Sequence, residues 1–208
     1  MKIQKRKAAY IWNAVLFIFG IAGLVITLLG MGIGEMFSYY TQDSNIFSMC
    51  VSGIYLLFWN KDIPGWLNRL RYAASVSLML TFTVVVFVLG PMYGVVWYPW
   101  LFFHGANFFY HLSCPLLSFI SFVLFEGGEK PAVPDTLIAI IPTLLYAVVL
   151  IIFNVINAVH GPYPFLYVHE QPVYMSIIWG ITIPGIAWAL AFVIRSLKGR
   201  MRGADCSM

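Results

Sequence analysis

The chain has 208 residues, 61% of them hydrophobic and only 10% charged, with a net charge of +4. A soluble domain of that size carries about 25% charged residues, so a soluble globular fold is excluded. The positive balance has no basic helix or aromatic–basic platform to serve it, which excludes nucleic-acid binding; attraction to anionic lipid accounts for it instead.

Six apolar stretches follow in chain order, over about 10–31, 36–59, 72–90, 100–125, 136–159 and 173–194. Each reaches or approaches the ~20 residues that a helix needs to cross ~30 Å of hydrocarbon. The pattern predicts an all-α, polytopic membrane protein: one six-helix transmembrane domain over residues 1–208. The first stretch is longer than the core of a signal peptide and no small-x-small cleavage site ends it, so it reads as a span. Breakers mark the connections. They are Gly30, Gly32 and Gly34; Asn60 to Gly65; Gly90-Pro91 and Pro99; Gly127-Gly128, Pro131 and Pro134; Gly161-Pro162-Tyr163-Pro164 and Pro172.

All 12 Lys and Arg residues fall on one side of this topology. Lys2, Lys5, Arg6 and Lys7 precede the first span. Lys61, Arg69 and Arg71 lie in the second connection, Lys130 in the fourth, and Arg195, Lys198, Arg200 and Arg202 follow the sixth. Connections one, three and five carry none, so the positive-inside rule places both termini in the cytoplasm and the chain in the cytoplasmic (inner) membrane. Tyr39, Tyr40, Tyr93, Trp97, Tyr98, Trp100, Tyr163 and Tyr167 gather at the outer ends as an interfacial belt. No internal repeat is evident, which argues against an inverted-repeat transporter.

Cys50 and Cys114 fall inside spans, and Cys206 falls in a cytoplasmic tail, one place too late for a prenylation box. No CxxC or Cys/His spacing suggests a disulfide framework or a metal site. His104 and His111 are two helical turns apart, too far for one metal, and a di-haem bundle lacks histidines on facing helices. Neither metal nor cofactor is expected.

Polar side chains at bilayer depth are costly and mark function. In span two, Thr41, Ser44, Asn45, Ser48 and Ser52 share about 100° of a helical wheel, and Asp43 points away. In span four, His104, Asn107, His111, Cys114 and Ser118 form a second stripe, and span five adds Asn154 and Asn157, with His160 at its end. A polar pocket near the outer side is expected. Ser44, Ser48 and Ser52 also fit a plain packing role, since small hydroxyl residues let helices approach closely. His111 stands out. Pro115, four residues on, cannot donate to its carbonyl, so the helix should kink or take in a polar partner there. A histidine can take the proton of a threonine hydroxyl and make it attack an ester, with Asn45 or Asn107 as orienting or oxyanion groups. Counted along ideal helices, Thr41 lies ~8 Å below Met36 but His111 ~16 Å below Trp100, a mismatch in depth.

Three segments carry a resemblance. Tyr40-Thr41-Gln42-Asp43-Ser44-Asn45 resembles the aromatic-Thr-x-x-Ser-Asn signature of a bacterial six-span family. Tyr110-His111-Leu112-Ser113-Cys114-Pro115 resembles its His-x-x-x-Pro signature, and Gly161-Pro162-Tyr163-Pro164-Phe165-Leu166 its Tyr-Pro-rich fifth loop. That family looks related to the animal androgen-induced and androgen-dependent membrane proteins, whose span two lacks the Ser-Asn pair. Those are threonine hydrolases acting on fatty acid esters of hydroxy fatty acids. The resemblance implies Thr41 as nucleophile and His111 as base, with Ser44, Asn45, His104, Asn107, Asn154 and Asn157 as candidate pocket residues and a membrane lipid ester as partner. Two other classes remain open: a small proton-coupled or lipid transporter with Asp43, His104, His111 and Asn157 along a path, and a non-catalytic lipid-binding protein.

Overall fold

The computed structural model describes residues 2–59 and 61–206, with side chains for 4–59 and 61–201. Asn60, Met208 and the side chains of Lys2, Arg202 and Cys206 lie outside the described residues. Helix makes up 80% of the structure, and no strand occurs among the described residues. The long helices are α1, Lys2–Gly30; α2, Tyr40–Leu56; α3, Gly65–Tyr93; α4, Phe108–Phe125; α5, Ile141–Val155; and α6, Val173–Cys206. Of these, α1, α3, α4 and α6 are long and apolar enough to cross a membrane, as a multi-pass membrane protein requires. At 17 and 15 residues, α2 and α5 reach only ~26 and ~23 Å.

The expected limits therefore move. The stretch expected at 136–159 divides into Asp135–Ala139 and α5, because Pro142 in the first turn of α5 has no N–H with which to continue the earlier helix. The stretch expected at 100–125 divides into Tyr98–Phe103 and α4, with a break at His104 to Ala106 where Gly105 takes φ +54°. That backbone conformation is open to glycine at little cost.

The hub is α3. It packs on α2, α4, α5 and α6, and 67% of its most apolar window is buried, against 28% for α1 and 17% for α6. Its run Ala73-Ala74-Ser75-Val76-Ser77 is wholly buried. Small side chains let neighbouring backbones come close, which is how helices gain contact where lipid competes for every apolar surface.

Two of the inner-side charges turn into the bundle instead of facing water. Arg71 lies inside α3 and Lys198 inside α6, and both are almost completely buried. The Arg71 guanidinium donates to both carboxylate oxygens of Glu126, the shortest contact being Nη2 to Oε1 at 2.7 Å, and Nη1 donates to Ser52 Oγ at 3.2 Å. Asn13 Nδ2 and Ser121 Oγ donate to the same Glu126 Oε1 at 3.0 and 2.8 Å. Lys198 Nζ donates to the carbonyls of Phe122 and Glu126 at 2.7 and 3.0 Å. This knot ties α1, α2, α3 and α6 to the end of α4.

Each of three π-helical turns shifts the hydrogen-bond register by one residue and leaves a carbonyl behind. In α3, Gly90 N–H donates to Val85, and Pro91 has no N–H, so the Val86 carbonyl has no helical donor; Tyr98 Oη donates to it at 2.7 Å. In α4, Cys114 N–H donates to Phe109 and Pro115 has none, so the stranded carbonyl is that of Tyr110, one residue before the expected His111. Asn45 Nδ2 donates to it at 3.2 Å. At the end of α4, Glu126 N–H donates to Ser121, and Lys198 takes up the Phe122 carbonyl.

Removing one member of a buried ion pair leaves an uncompensated charge, at a cost of about 3–5 kcal/mol. Glu126→Ala or Arg71→Ala should therefore lower the melting temperature in detergent sharply. Burial alone raises the Glu126 carboxyl pKa, but the Arg71 guanidinium, Lys198 and Asn13 bring it below the usual range. Its contribution is thus complete above the ordinary glutamate pKa and is lost as pH falls through the depressed native value. A melting temperature unchanged in both variants would show that the knot holds nothing.

Candidate active site

The site forms where three chain segments meet. α2 supplies Thr41 in its first turn. Gln42 and Asp43 N–H groups turn back to the Tyr39 carbonyl, which leaves the Thr41 N–H pointing out of the helix end, as the first amides of any helix must. α4 supplies His111 in its first, π-helical turn. The break at His104 to Ala106 folds the short helix Tyr98–Phe103 back over this turn, so the Leu101 carbonyl lies 2.5 Å from His111 Nδ1. A carbonyl only accepts, so Nδ1 carries the proton and Nε2 the lone pair. That lone pair faces Thr41 Oγ1 at 3.4 Å.

The depth mismatch disappears for the same reason. α4 begins at Phe108 rather than at residue 100, so His111 stands ~4.5 Å from the start of its helix and Thr41 ~1.5 Å from the start of α2.

Two of the expected neighbours hold the pair in place. Asn45 Nδ2 donates to the Thr41 carbonyl at 2.8 Å as well as to the Tyr110 carbonyl at 3.2 Å, so one amide joins the turn that carries Thr41 to the turn that carries His111. Ser44 Oγ donates to the Thr41 carbonyl and meets Thr81 Oγ1, each at 3.1 Å, fixing the same turn against α3.

The other four stand elsewhere. His104 is exposed and stacks on Trp100 at 5.2 Å. Asn107 Nδ2 donates to the Trp100 carbonyl at 3.1 Å and closes the break. Asn154 is buried, and its backbone carbonyl accepts from His169 Nε2 at 2.9 Å. Asn157 takes φ +57° just past α5, where an asparagine in the left-handed region ends a helix. None of the four is brought to Thr41.

Sequence reasoning placed Tyr163 in the interfacial belt and in the Tyr-Pro-rich fifth-loop motif but gave it no part in the site. Its Oη lies 3.4 Å from both Thr41 N and Thr41 Oγ1. Tyr163 comes from the connection between α5 and α6, where its ring stacks on Phe165 at 5.2 Å and meets Tyr39 edge-on at 6.0 Å. Gly161 allows the tight turn: a Cβ there would come within 2.7 Å of the Leu166 carbonyl oxygen. The breaker-rich spelling Gly-Pro-Tyr-Pro was the one signal that this loop has a fixed shape.

Thr41 and Tyr163 open onto a cavity of about 350 Å³ between α2, α3, α5 and α6. The polar pocket expected here is in fact walled mainly by apolar side chains, among them Leu80, Val84, Phe165, Ile177 and Ile183. The volume is in the range of small-molecule sites. His111 stands behind Thr41, outside the cavity wall.

Asn45→Ala and Asn45→Asp both remove the donor that joins the two turns, Asp because a carboxylate only accepts. Leaving a buried carbonyl unpaired costs about 1–3 kcal/mol, so thermal unfolding in detergent should show a loss of that size in both. Full stability in both would remove the bridge from the account. Comparison with known proteins adds no relative: no family model matches the chain, and neither a curated protein nor a solved structure does.

Proposed function

We propose that the protein is an intramembrane lipid-ester hydrolase, with Thr41 as nucleophile and His111 as general base. The observation that carries this reading is the direction of the pair. The lone pair of His111 Nε2 faces the Thr41 hydroxyl, and the Leu101 carbonyl fixes the tautomer from behind. Nucleophile, base and orienting group in series is the arrangement that activates a hydroxyl. The apolar cavity beside Thr41 suits an acyl chain, with the ester beside Thr41 and Tyr163. The 3.4 Å separation is looser than the ~2.6–3.2 Å of a working pair, as is common before substrate tightens such contacts. The proposed substrate is a membrane lipid ester, of the fatty acid ester of hydroxy fatty acid type that the three motifs imply. A carrier would need polar groups continuing to the far face; there, Arg71, Glu126 and Lys198 are bonded to one another and to backbone, which supports a sealed end better than a path.

The reading includes a six-span topology with both termini in the cytoplasm, α2 and α5 crossing as short helices. A reporter fused after Met208 should be active only in its cytoplasmic form; a periplasmic signal would overturn that topology.

Thr41→Ala and His111→Ala should each abolish turnover of a long-chain ester in liposomes while the folded protein remains. The double variant should be no worse than either, because groups acting as one unit are not additive. Thr41→Ser should retain activity, and a fluorophosphonate should label the wild type but not Thr41→Ala. Turnover should rise with pH as the imidazole loses its proton, since only the neutral ring accepts one. Undiminished turnover in both alanine variants would dispose of the mechanism and leave lipid binding or transport.

A further inference from the structure

We infer that Tyr163 is a third catalytic residue, whose hydroxyl donates to the oxyanion formed when Thr41 attacks an ester carbonyl. This rests on the hydrolase reading above. A tyrosine hydroxyl has one proton to give and accepts through its lone pairs. One lone pair of Tyr163 Oη takes the Thr41 N–H at 3.4 Å. The Tyr163 proton then has Thr41 Oγ1, also at 3.4 Å, as its acceptor. The proton of Oγ1 is in turn directed at His111 Nε2, and that of His111 Nδ1 at the Leu101 carbonyl. The groups form one series in which every proton points the same way: Thr41 N–H to Tyr163, Tyr163 to Thr41 Oγ1, Oγ1 to His111, His111 to Leu101.

Attack changes one member of the series. Oγ1 bonds to the acyl carbon and gives its proton to His111. The carbonyl oxygen on that same carbon gains negative charge, and it lies two bonds from Oγ1, next to the Tyr163 O–H. A donor already directed at the nucleophile has to shift little to meet the oxyanion, which is the preorganisation such sites depend on. The Thr41 N–H behind it sits at the positive end of the 17-residue α2 and polarises the hydroxyl further. Burial pushes the Tyr163 phenol up to about 12, against the pull of its Thr41 hydrogen bonds, so the hydroxyl keeps its proton and remains a donor. The step balances without it. The Thr41–acyl bond forms, the ester C–O bond breaks, and the threonine proton passes through His111 to the leaving alkoxide. Water then attacks with the roles reversed and releases the fatty acid. Tyr163 ends each half-reaction with the proton it began with.

Tyr163→Phe keeps the ring that stacks on Phe165 and meets Tyr39 edge-on, and removes only the donor. With a long-chain p-nitrophenyl ester, its kcat should fall by about 10²–10³-fold, the range for loss of one oxyanion donor, while KM changes by less than about threefold. A long-chain trifluoromethyl ketone, which forms a tetrahedral oxyanion on Thr41, should lose affinity by a similar factor, while binding of the corresponding fatty acid stays as in the wild type. Thr41-dependent turnover with an unchanged kcat in Tyr163→Phe would overturn the role of Tyr163 and leave the hydrolase reading standing. So would equal losses of ketone and fatty-acid affinity, which mark a packing role. A wild type without Thr41-dependent turnover would overturn both.

Discussion

A backbone carbonyl released inside an apolar bundle must find a donor, because no solvent will supply one. This single constraint organises the structure. Three π turns release the carbonyls of Val86, Tyr110 and Phe122. Three polar side chains from other parts of the chain meet them: the Tyr98 hydroxyl, the Asn45 amide and the Lys198 ammonium. Each of those bonds joins segments far apart in sequence or on either side of a turn. Local irregularity in a helix thus becomes a tie between separate parts of the chain.

The site is a product of the second of these contacts. Asn45 cannot reach the Tyr110 carbonyl unless the first turn of α2 lies against the first turn of α4. That approach brings Thr41 and His111 face to face. The same π turn widens α4 at His111, and the break before it returns the Leu101 carbonyl to the far side of the ring. The nucleophile and base of the proposed reaction are therefore set by backbone accounting, before any direct attraction between the two side chains, whose 3.4 Å contact is too long to hold helices together.

Much of this is written in the sequence at the level of residue type. The hydroxyl stripe on α2, the histidine before Pro115 and the glycine–proline punctuation are all visible as patterns, and they point to Thr41, Ser44, Asn45 and His111. What the pattern does not carry is register. A proline announces that some carbonyl nearby loses its donor, but whether the helix answers with an α or a π turn decides which one. The answer moved the stranded group from His111 to Tyr110 and so turned Asn45 from a candidate orienting group into the bridge itself. Depth failed for a related reason: counting 1.5 Å per residue from Trp100 assumes a continuous helix through Gly105. Arg71 and Lys198 were misplaced because a charged residue near the end of an apolar run looks the same in sequence whether it leaves for water or turns inward to Glu126. His104, Asn107, Asn154 and Asn157 share the chemistry of site residues, yet none is brought to Thr41. Tyr163 was hidden because the belt aromatics outnumber it and resemble it.

The two ends of the bundle use opposite electrostatics. The Arg71–Glu126 end is built from full charges, and rigidity is all it has to deliver. In the hydrogen-bond series at Thr41, His111 and Tyr163 every partner is neutral: a hydroxyl, a phenol, backbone amides and carbonyls. A carboxylate behind His111 would orient the ring equally well, but it would also favour the imidazolium, and a ring that already holds a proton cannot take one from Thr41. A backbone carbonyl orients without adding net charge. In a medium of low dielectric, where an unscreened charge acts over a long distance, that difference is large. In the proposed reaction, the neutral Leu101 carbonyl would let His111 stay a base. In the proposed reaction the charge it would otherwise have met appears only transiently, on the ring and on the oxyanion.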